Sequence, residues 1–206
     1  MTTRLTSLAA TVGIAVLLLV GHFGVWAAHK TAALSLSAHE LGEFTNDTPN
    51  AGVFPNEGFY LPIWAAGLAL GVAAARARRT EVWLALLALA AFITQFGLPR
   101  FERWADPAFR LQAILTAAAL AVLLVASSAL RRTGRAAGRG ARLTAVALPV
   151  LAVVPVVGYL VIRPALETLY RDSVGLGAGW WLTLCAVVLS VAGAALSLRT
   201  AGSART

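Results

Sequence analysis

Three histidines and a few carboxylates are the residues of this 206-residue chain whose types and spacing could support chemistry. His22 and His29 are seven residues apart, which would put both imidazoles on one face of a continuous helix. His39 and Glu43 have the i, i+4 spacing that places two ligands on the same side of a helix. Neutral imidazole and carboxylate suit Zn or Cu. These four residues therefore form a candidate site for a divalent metal, against the simpler interpretation that the histidines are structural hydrogen-bonding groups.

No second signal for a cofactor or a catalytic centre accompanies these residues. The chain has no HExxH motif, and Cys185, its one cysteine, lies inside an apolar run, so a Cys-based metal site or disulfide framework is not available. We therefore predict no cofactor, with the divalent metal as the alternative. An enzyme would have to be built around His39, Glu40 and Glu43.

The segment SAHELGEFTNDTPNAGVFPNEGFYLPIW, residues 37–64, holds four of the nine carboxylates. Its first part predicts a short helix with one apolar and one acidic face, which turn-forming residues then end. The remainder is predicted to run extended into the next apolar run. The apolar face would consist of Leu34, Ala38, Leu41 and Phe44. The carboxylates predicted to form an interaction surface are Glu40, Glu43, Asp47 and Glu57.

Composition places these residues in a membrane protein. The chain is 59% hydrophobic and 13% charged, with a mean hydropathy of +0.77, whereas soluble domains carry about 25% charged residues. Six continuous apolar runs without Asp, Glu, Lys or Arg are long enough to span a bilayer as helices. We predict one all-α, polytopic membrane domain over residues 1–206. The predicted spans are residues 7–27, 59–75, 82–98, 111–130, 143–162 and 179–198.

Charge distribution predicts the orientation. With both termini in the cytoplasm, the inner segments hold eleven cations and the outer segments six, as the positive-inside rule requires. Eight of the nine acidic residues then lie outside, so residues 29–58 form an acidic extracytoplasmic loop with a short cap helix. Arg4, the following apolar run and VWAAH are also similar to a secretory signal, whose removal would leave five spans.

The aromatic residues support the same orientation, because Trp and Tyr favour the headgroup level of a bilayer. Sixteen of the seventeen cations are Arg and the chain is rich in Ala, which favours a bacterial plasma membrane as the location. The basic clusters lack stacking aromatics, so we predict contact with anionic lipid and not with nucleic acid. The aromatic residues predicted at outer span ends are Trp26, Tyr60, Trp64, Trp104, Tyr170, Trp180 and Trp181.

A few polar and helix-breaking residues interrupt the spans. Gln95 and Gln112 are at similar depth, which predicts a hydrogen bond between helices or, as the alternative, one wall of an outward-facing polar pocket that includes His22. Gly67 and Gly71 form a GxxxG motif that allows close helix packing. The fifth span contains residues that predict a kink for packing, with a gating hinge as the alternative. Those residues are Pro149, Pro155 and Gly158.

Three functional classes follow from these features. The first is a non-catalytic integral membrane subunit or assembly partner, with the acidic loop as its interaction surface. The second is a small-solute transporter or permease component that acts as an oligomer. The third is a metal-dependent membrane enzyme that uses the outer His and Glu residues. The predicted partners are the lipid bilayer and either another membrane protein or further copies of this chain.

Overall fold

The computed structural model describes residues 2–29, 35–47, 54–134 and 139–203, and most of them are helical. The long helices coincide with the apolar runs, as expected for segments that would satisfy their backbone hydrogen bonds internally in lipid. The helices are α1 (Thr2–Phe23), α2 (Ala38–Asp47), α3 (Leu61–Ala74), α4 (Thr80–Thr94), α5 (Arg110–Thr133), α6 (Arg139–Tyr170) and α7 (Ala178–Ser203). Short 3₁₀ turns flank α3, α4 and α5 at Asn56–Tyr60, Gln95–Gly97, Phe101–Arg103 and Pro107–Phe109.

Five helical segments of the described chain are long and apolar enough to cross a membrane. The described apolar part of α1, Ala9–Phe23, is shorter. The predicted all-α class is thus confirmed, as is the presence of several helices of membrane-spanning length. The five segments are Asn56–Ala74, Thr80–Gly97, Pro107–Thr133, Val146–Tyr170 and Ala178–Ala195.

The first helix ends earlier than the apolar run predicts. α1 ends at Phe23, although the run continues to residue 27. Gly24 lies against Gly179, so closely that a side-chain carbon on Gly24 would come within 2.9 Å of the Gly179 Cα. Val25 and the residues after it form a β-strand, in keeping with the strand preference of β-branched and aromatic residues. The predicted helical span over 7–27 is therefore corrected at its end.

A small antiparallel sheet joins two connections at one end of the bundle, and the sequence did not predict it. Ala27 pairs with Leu36 on one side and with Leu176 on the other. The register slips before Ala27, and Trp26 at this irregularity is fully buried. The sheet ties the segment after α1 to the segment before α7. Its strands, in spatial order, are β2 (Ser35–Ser37), β1 (Val25–Ala28) and β3 (Gly175–Leu176).

α6 is longer than the fifth predicted span, residues 143–162, and continues to Tyr170. Arg163 and Glu167 stabilise this last part as an i, i+4 ion pair with 3.0 Å between Nε and Oε1. The segment between the predicted spans 143–162 and 179–198 is therefore helical as far as Tyr170. Three prolines lie within the helix without ending it: Pro149, Pro155 and Pro164.

α3 lies at the centre of the bundle. It packs against α1, α4, α5 and α6, while α7 packs against α1 and α6. Gly67 of α3 packs against Thr94 of α4, and Gly71 packs against Leu123 of α5, which confirms close helix packing at the GxxxG motif. Of the α3 span 78% is buried, whereas only 17% of the α5 span is buried. α3 is thus a core helix and α5 a peripheral one.

Two ends of the bundle are distinguished by their ionisable residues. We call the end that carries all three histidines the histidine end; there α1 ends, α2 and the sheet lie, and α3 begins. We call the opposite end the arginine end. Among its described arginines are Arg76, Arg78, Arg79, Arg131 and Arg132.

Candidate functional site

Three rings from three elements meet at the histidine end. His22 comes from the last turn of α1, His39 from α2, and Tyr60 from the turn that leads into α3. Their centroids are 5.8 Å (His22–His39), 5.7 Å (His22–Tyr60) and 5.6 Å (His39–Tyr60) apart. His22 is 1% exposed and Tyr60 is fully buried. Together with Trp64 and Gln112, these residues form what we call the polar cluster.

Local contacts of α2 hold His39 over the other two rings. The helix begins with a capping box: the Ser37 hydroxyl accepts from the Glu40 N–H at 3.3 Å, and the Glu40 carboxylate accepts from the Ser37 N–H at 2.7 Å. Gly42 lies against the Tyr60 ring, where a side-chain carbon would come within 2.7 Å. The Tyr60 hydroxyl donates to the His39 carbonyl at 3.3 Å. These contacts pack α2 directly against Tyr60.

Trp64 and Gln112 both lie next to Tyr60. Tyr60 and Trp64 are four residues apart, and their ring centroids are 6.4 Å apart. Gln112 Nε2 donates to the Gly97 carbonyl at 2.9 Å, and the Thr116 hydroxyl donates to the same carbonyl at 2.7 Å. A side chain at Gly97 would collide with Nε1 of Trp64. Since the Gln112 side chain also lies against Tyr60, the five residues are contiguous.

Five buried polar atoms of the cluster have no hydrogen-bond partner among the described residues. Leaving such an atom unpaired costs about 1–3 kcal/mol, and buried polar groups are nearly always bonded. His22 faces the Phe59 carbonyl, but without hydrogen-bonding geometry. This concentration of unpaired atoms indicates a place where a polar molecule can bind. The atoms are Nδ1 and Nε2 of His22, Nδ1 of His39, Nε1 of Trp64 and Oε1 of Gln112.

An ion pair lies at the rim of the cluster. Glu43 Oε1 is 3.2 Å from Nε of Arg100, which belongs to the α4–α5 connection, and 3.9 Å from Nε2 of His39. Burial holds the pKa of His39 below its ordinary value; Glu43 opposes this shift, Arg100 adds to it, and Glu40 weakly opposes it. His39 is therefore neutral near pH 7. The Glu43–Arg100 pair fastens α2 to the α4–α5 connection.

The four predicted metal ligands do not form one group. His29 lies beyond the end of α1, so the prediction that it shares a helical face with His22 is wrong. Its Nε2 instead contacts Oδ2 of Asp172 at 3.0 Å, beside β3. The Ser173 N–H and His29 together lower the pKa of the Asp172 carboxyl. In the described part of the chain, no three His, Cys, Asp or Glu side chains are grouped as a metal site would require.

The remaining predicted polar residues have different places. Gln95 is exposed outside the cluster, since it follows the end of α4, and Gln112 bonds to Gly97 instead of Gln95. Glu57 is half-buried in the turn before α3. Asp47 is the last residue of α2, and its side chain lies outside the described part. Among the carboxylates predicted to form an interaction surface, Glu40 and Glu43 are thus bonded to other residues of the chain.

The predicted hinge residues are buried within a continuous α6. Gly158 packs against the ring of Phe54, which also lies against Gly58. Pro149 and Pro155 are buried as well. Gly158 therefore has a packing role, in that it admits an aromatic ring from the segment before α3; the gating hinge stays a prediction.

Sequence reasoning did not assign Tyr60, Trp64 or Arg100 to a site. The two aromatics were predicted to lie at the lipid headgroup level, as were Trp26 and Trp180, yet all four are buried. Two i, i+4 pairs carried a usable signal, because each places two polar-tipped side chains on one helical face. Those pairs are Tyr60 with Trp64 and Gln112 with Thr116.

The chain matches no known protein family, no curated protein and no solved structure. Its chemistry must therefore be argued from the cluster itself. The cluster offers hydrogen-bond donors and acceptors in a buried place. This arrangement offers hydrogen bonds to a polar molecule.

Proposed function

We propose that this chain is a non-catalytic component of a membrane complex and that it binds a small polar solute at the polar cluster. The proposal is carried by the five unpaired, buried polar atoms of side chains from α1, α2, α5 and the start of α3. A bound solute would satisfy these atoms and thus recover the cost of burying them. The proposal combines two of the functions predicted from the sequence, namely the subunit of a membrane complex and the permease component.

We further propose that α1 also crosses the membrane, which brings the number of spans to six. Both termini would then lie in the cytoplasm of a bacterium. The excess of arginine on the inner segments supports this orientation. The arginine end would then contact anionic lipid headgroups at the inner surface. The histidine end, with α2 as a cap helix, would take its solute from the extracytoplasmic side.

Single cysteines test the orientation in a Cys185→Ala background. A membrane-impermeant maleimide should label Asp106→Cys, at the histidine end, in intact cells. It should label Arg78→Cys, in the α3–α4 turn, only after the cells are permeabilised. Labelling in the reverse order would contradict the proposed orientation, and labelling of both in intact cells would contradict the proposal that α4 crosses the membrane.

The chain is proposed as a component because its described spans offer no continuous polar route toward the arginine end. The buried Ser127 accepts from Trp83, and the buried Ser190 donates to the Ala186 carbonyl of its own helix. A route would need a partner or a second copy, and the weakly buried α5 offers a surface for it. Native mass spectrometry after gentle extraction should show a complex. A monomer that binds solute would contradict the component part of the proposal.

Thermal unfolding in nanodiscs tests solute binding. The probes are urea, acetamide, glycerol, acetate, guanidinium and Zn²⁺, each added separately. A probe that binds the folded state raises the unfolding temperature in proportion to ln(1 + [L]/Kd). At least one should stabilise the wild type and the control Ser190→Ala but not Gln112→Leu. If no probe stabilises the protein, or if Gln112→Leu responds like the wild type, binding at the cluster is contradicted.

A further inference from the structure

We infer that the ligand of the polar cluster is an uncharged molecule of a few non-hydrogen atoms that both donates and accepts hydrogen bonds, as amides and ureas do. This inference rests on the proposed function and adds the chemical class of the ligand. Three observations carry it: the identity of the unpaired atoms, the charge around them and the spacing of the rings.

The unpaired atoms require a ligand with both donors and acceptors. Nε1 of Trp64 can only donate. Oε1 of Gln112 can only accept, because Nε2 of the same amide donates to the Gly97 carbonyl. Nε2 of His39 faces the Glu43 carboxylate, which favours the tautomer with its proton there and leaves Nδ1 as an acceptor. A neutral His22 adds one donor and one acceptor.

The charges around the cluster favour an uncharged ligand. The Glu43 carboxylate at the rim is already paired with Arg100. The Glu40 carboxylate is engaged by the Ser37 N–H and hydroxyl. Glu57 is half-buried, and it is the weakest of the charges that act on Tyr60. A charged ligand would therefore be buried without a counter-charge, which is strongly unfavourable.

The spacing of the rings limits the size of the ligand. Tyr60 lies 5.6–6.4 Å from the centroids of His22, His39 and Trp64, so the rings are almost in contact. A ligand can therefore enter only if α2 moves, and a small molecule requires the smallest movement. The fastening of α2 at the Glu43–Arg100 pair lies at the rim of the cluster, where such a movement would open it.

Two nearly isosteric pairs of probes, urea with guanidinium and acetamide with acetate, separate charge from shape. The protein carries three histidines, so selective ¹⁵N-histidine labelling gives a small set of imidazole resonances. These would be assigned by His22→Gln, His29→Gln and His39→Gln. Urea or acetamide should shift the resonances of His22 and His39 but not those of His29, which pairs with Asp172 and serves as the internal control. Guanidinium and acetate should bind about a hundredfold or more weakly.

A charge substitution sharpens the test. Gln112→Glu keeps the shape of the side chain but adds a buried carboxylate, so it should weaken urea binding and favour guanidinium. If acetate, guanidinium or Zn²⁺ shifts His22 and His39 of the wild type as strongly as urea does, the uncharged class is wrong while binding at the cluster stands. If no probe shifts either resonance, and Gln112→Leu leaves the thermal response unchanged, the cluster holds buried water only and both proposals fail.

Discussion

The two ends of the bundle differ in how many buried polar atoms lack a hydrogen-bond partner among the described residues. At the arginine end Trp83 donates to the Ser127 hydroxyl at 3.1 Å, and the Arg131 guanidinium lies 4.7 Å from the Trp83 ring centroid. Arg131 also donates to the Ala77 carbonyl and the Thr80 hydroxyl. At the histidine end, the five polar atoms of the cluster are buried without a partner in the described chain. Paired groups stabilise the fold, whereas unpaired ones reduce stability, and the proposed ligand would supply their missing partners.

The largest effect is expected where α1 and α7 touch backbone to backbone at the histidine end. A side-chain carbon at Gly179 would lie 2.5 Å from the Gly24 carbonyl oxygen and 2.6 Å from that of Gly21. Gly179→Ala should therefore lower the free energy of unfolding by about 1–3 kcal/mol. Gly193→Ala, on the same helix with nothing within 4 Å, should be neutral or stabilise by up to about 1 kcal/mol. SDS-titration unfolding measures both, and equal losses would contradict this packing.

The second prediction tests the comparison of the two ends directly. Removing a polar group should change the free energy of unfolding in opposite directions at the two ends. Trp83→Phe should destabilise the protein by about 0.6–2 kcal/mol, since it removes a hydrogen bond between helices and weakens a cation–π contact. His22→Phe should stabilise it by about 1 kcal/mol, since it removes two unpaired nitrogens. The same SDS titration compares them. A loss for His22→Phe as large as that for Trp83→Phe would mean that the His22 nitrogens are bonded after all.

Acidification should loosen the histidine end alone. His39 has a folded-state pKa below its unfolded value of about 6.5. The unfolded form therefore binds the proton first, so the docking of α2 is strongest above about pH 6.5 and is lost as pH falls toward the folded-state pKa. When the pH is lowered from 7.5 to 5, hydrogen-exchange protection factors should fall in α2 and stay constant at the start of α4. His39→Gln should reduce the dependence in α2; an undiminished dependence would assign it to another group.

The smallest effect is expected at the rim. Glu43→Gln weakens the pair with Arg100, whose side chain is 62% exposed, so α2 should open more easily by less than about 1 kcal/mol. Hydrogen exchange in α2 should rise accordingly, with little change in global stability. Arg163→Gln breaks a comparable pair within α6 and should leave α2 unchanged. Equal protection of α2 in the wild type and Glu43→Gln would show that the ion pair does not fasten it.

The helices were predictable because an apolar run in lipid has few alternatives to helix. The end of α1 was not predicted, because the apolar run continues to residue 27, and the contact of Gly24 with Gly179 joins residues remote in sequence. The sheet depends likewise on pairing between Ala27 and Leu176. Hydropathy describes how each segment meets lipid, but it does not say which segments become neighbours.

The site was predictable only in part for the same reason. Spacing and depth singled out His22, His39 and Gln112, since polar groups in apolar runs are few. The aromatic members were missed, because an aromatic at the end of a span suits a lipid interface and a protein core equally well. Trp26 and Trp180 show how the structure decides: each donates from Nε1 to a buried backbone carbonyl, of Gly21 and Val156 respectively.

The three-stranded sheet also has a consequence for the order in which the protein is made. β1 is synthesised soon after the first helix, but β3 immediately precedes the last one. At about 5–20 residues per second, the ribosome takes roughly 7–30 s to bridge that gap. During this time one edge of β1 is without its partner, and such an edge invites wrong pairing. The end of the bundle that holds the polar cluster is therefore completed last, only when the final helix enters the membrane.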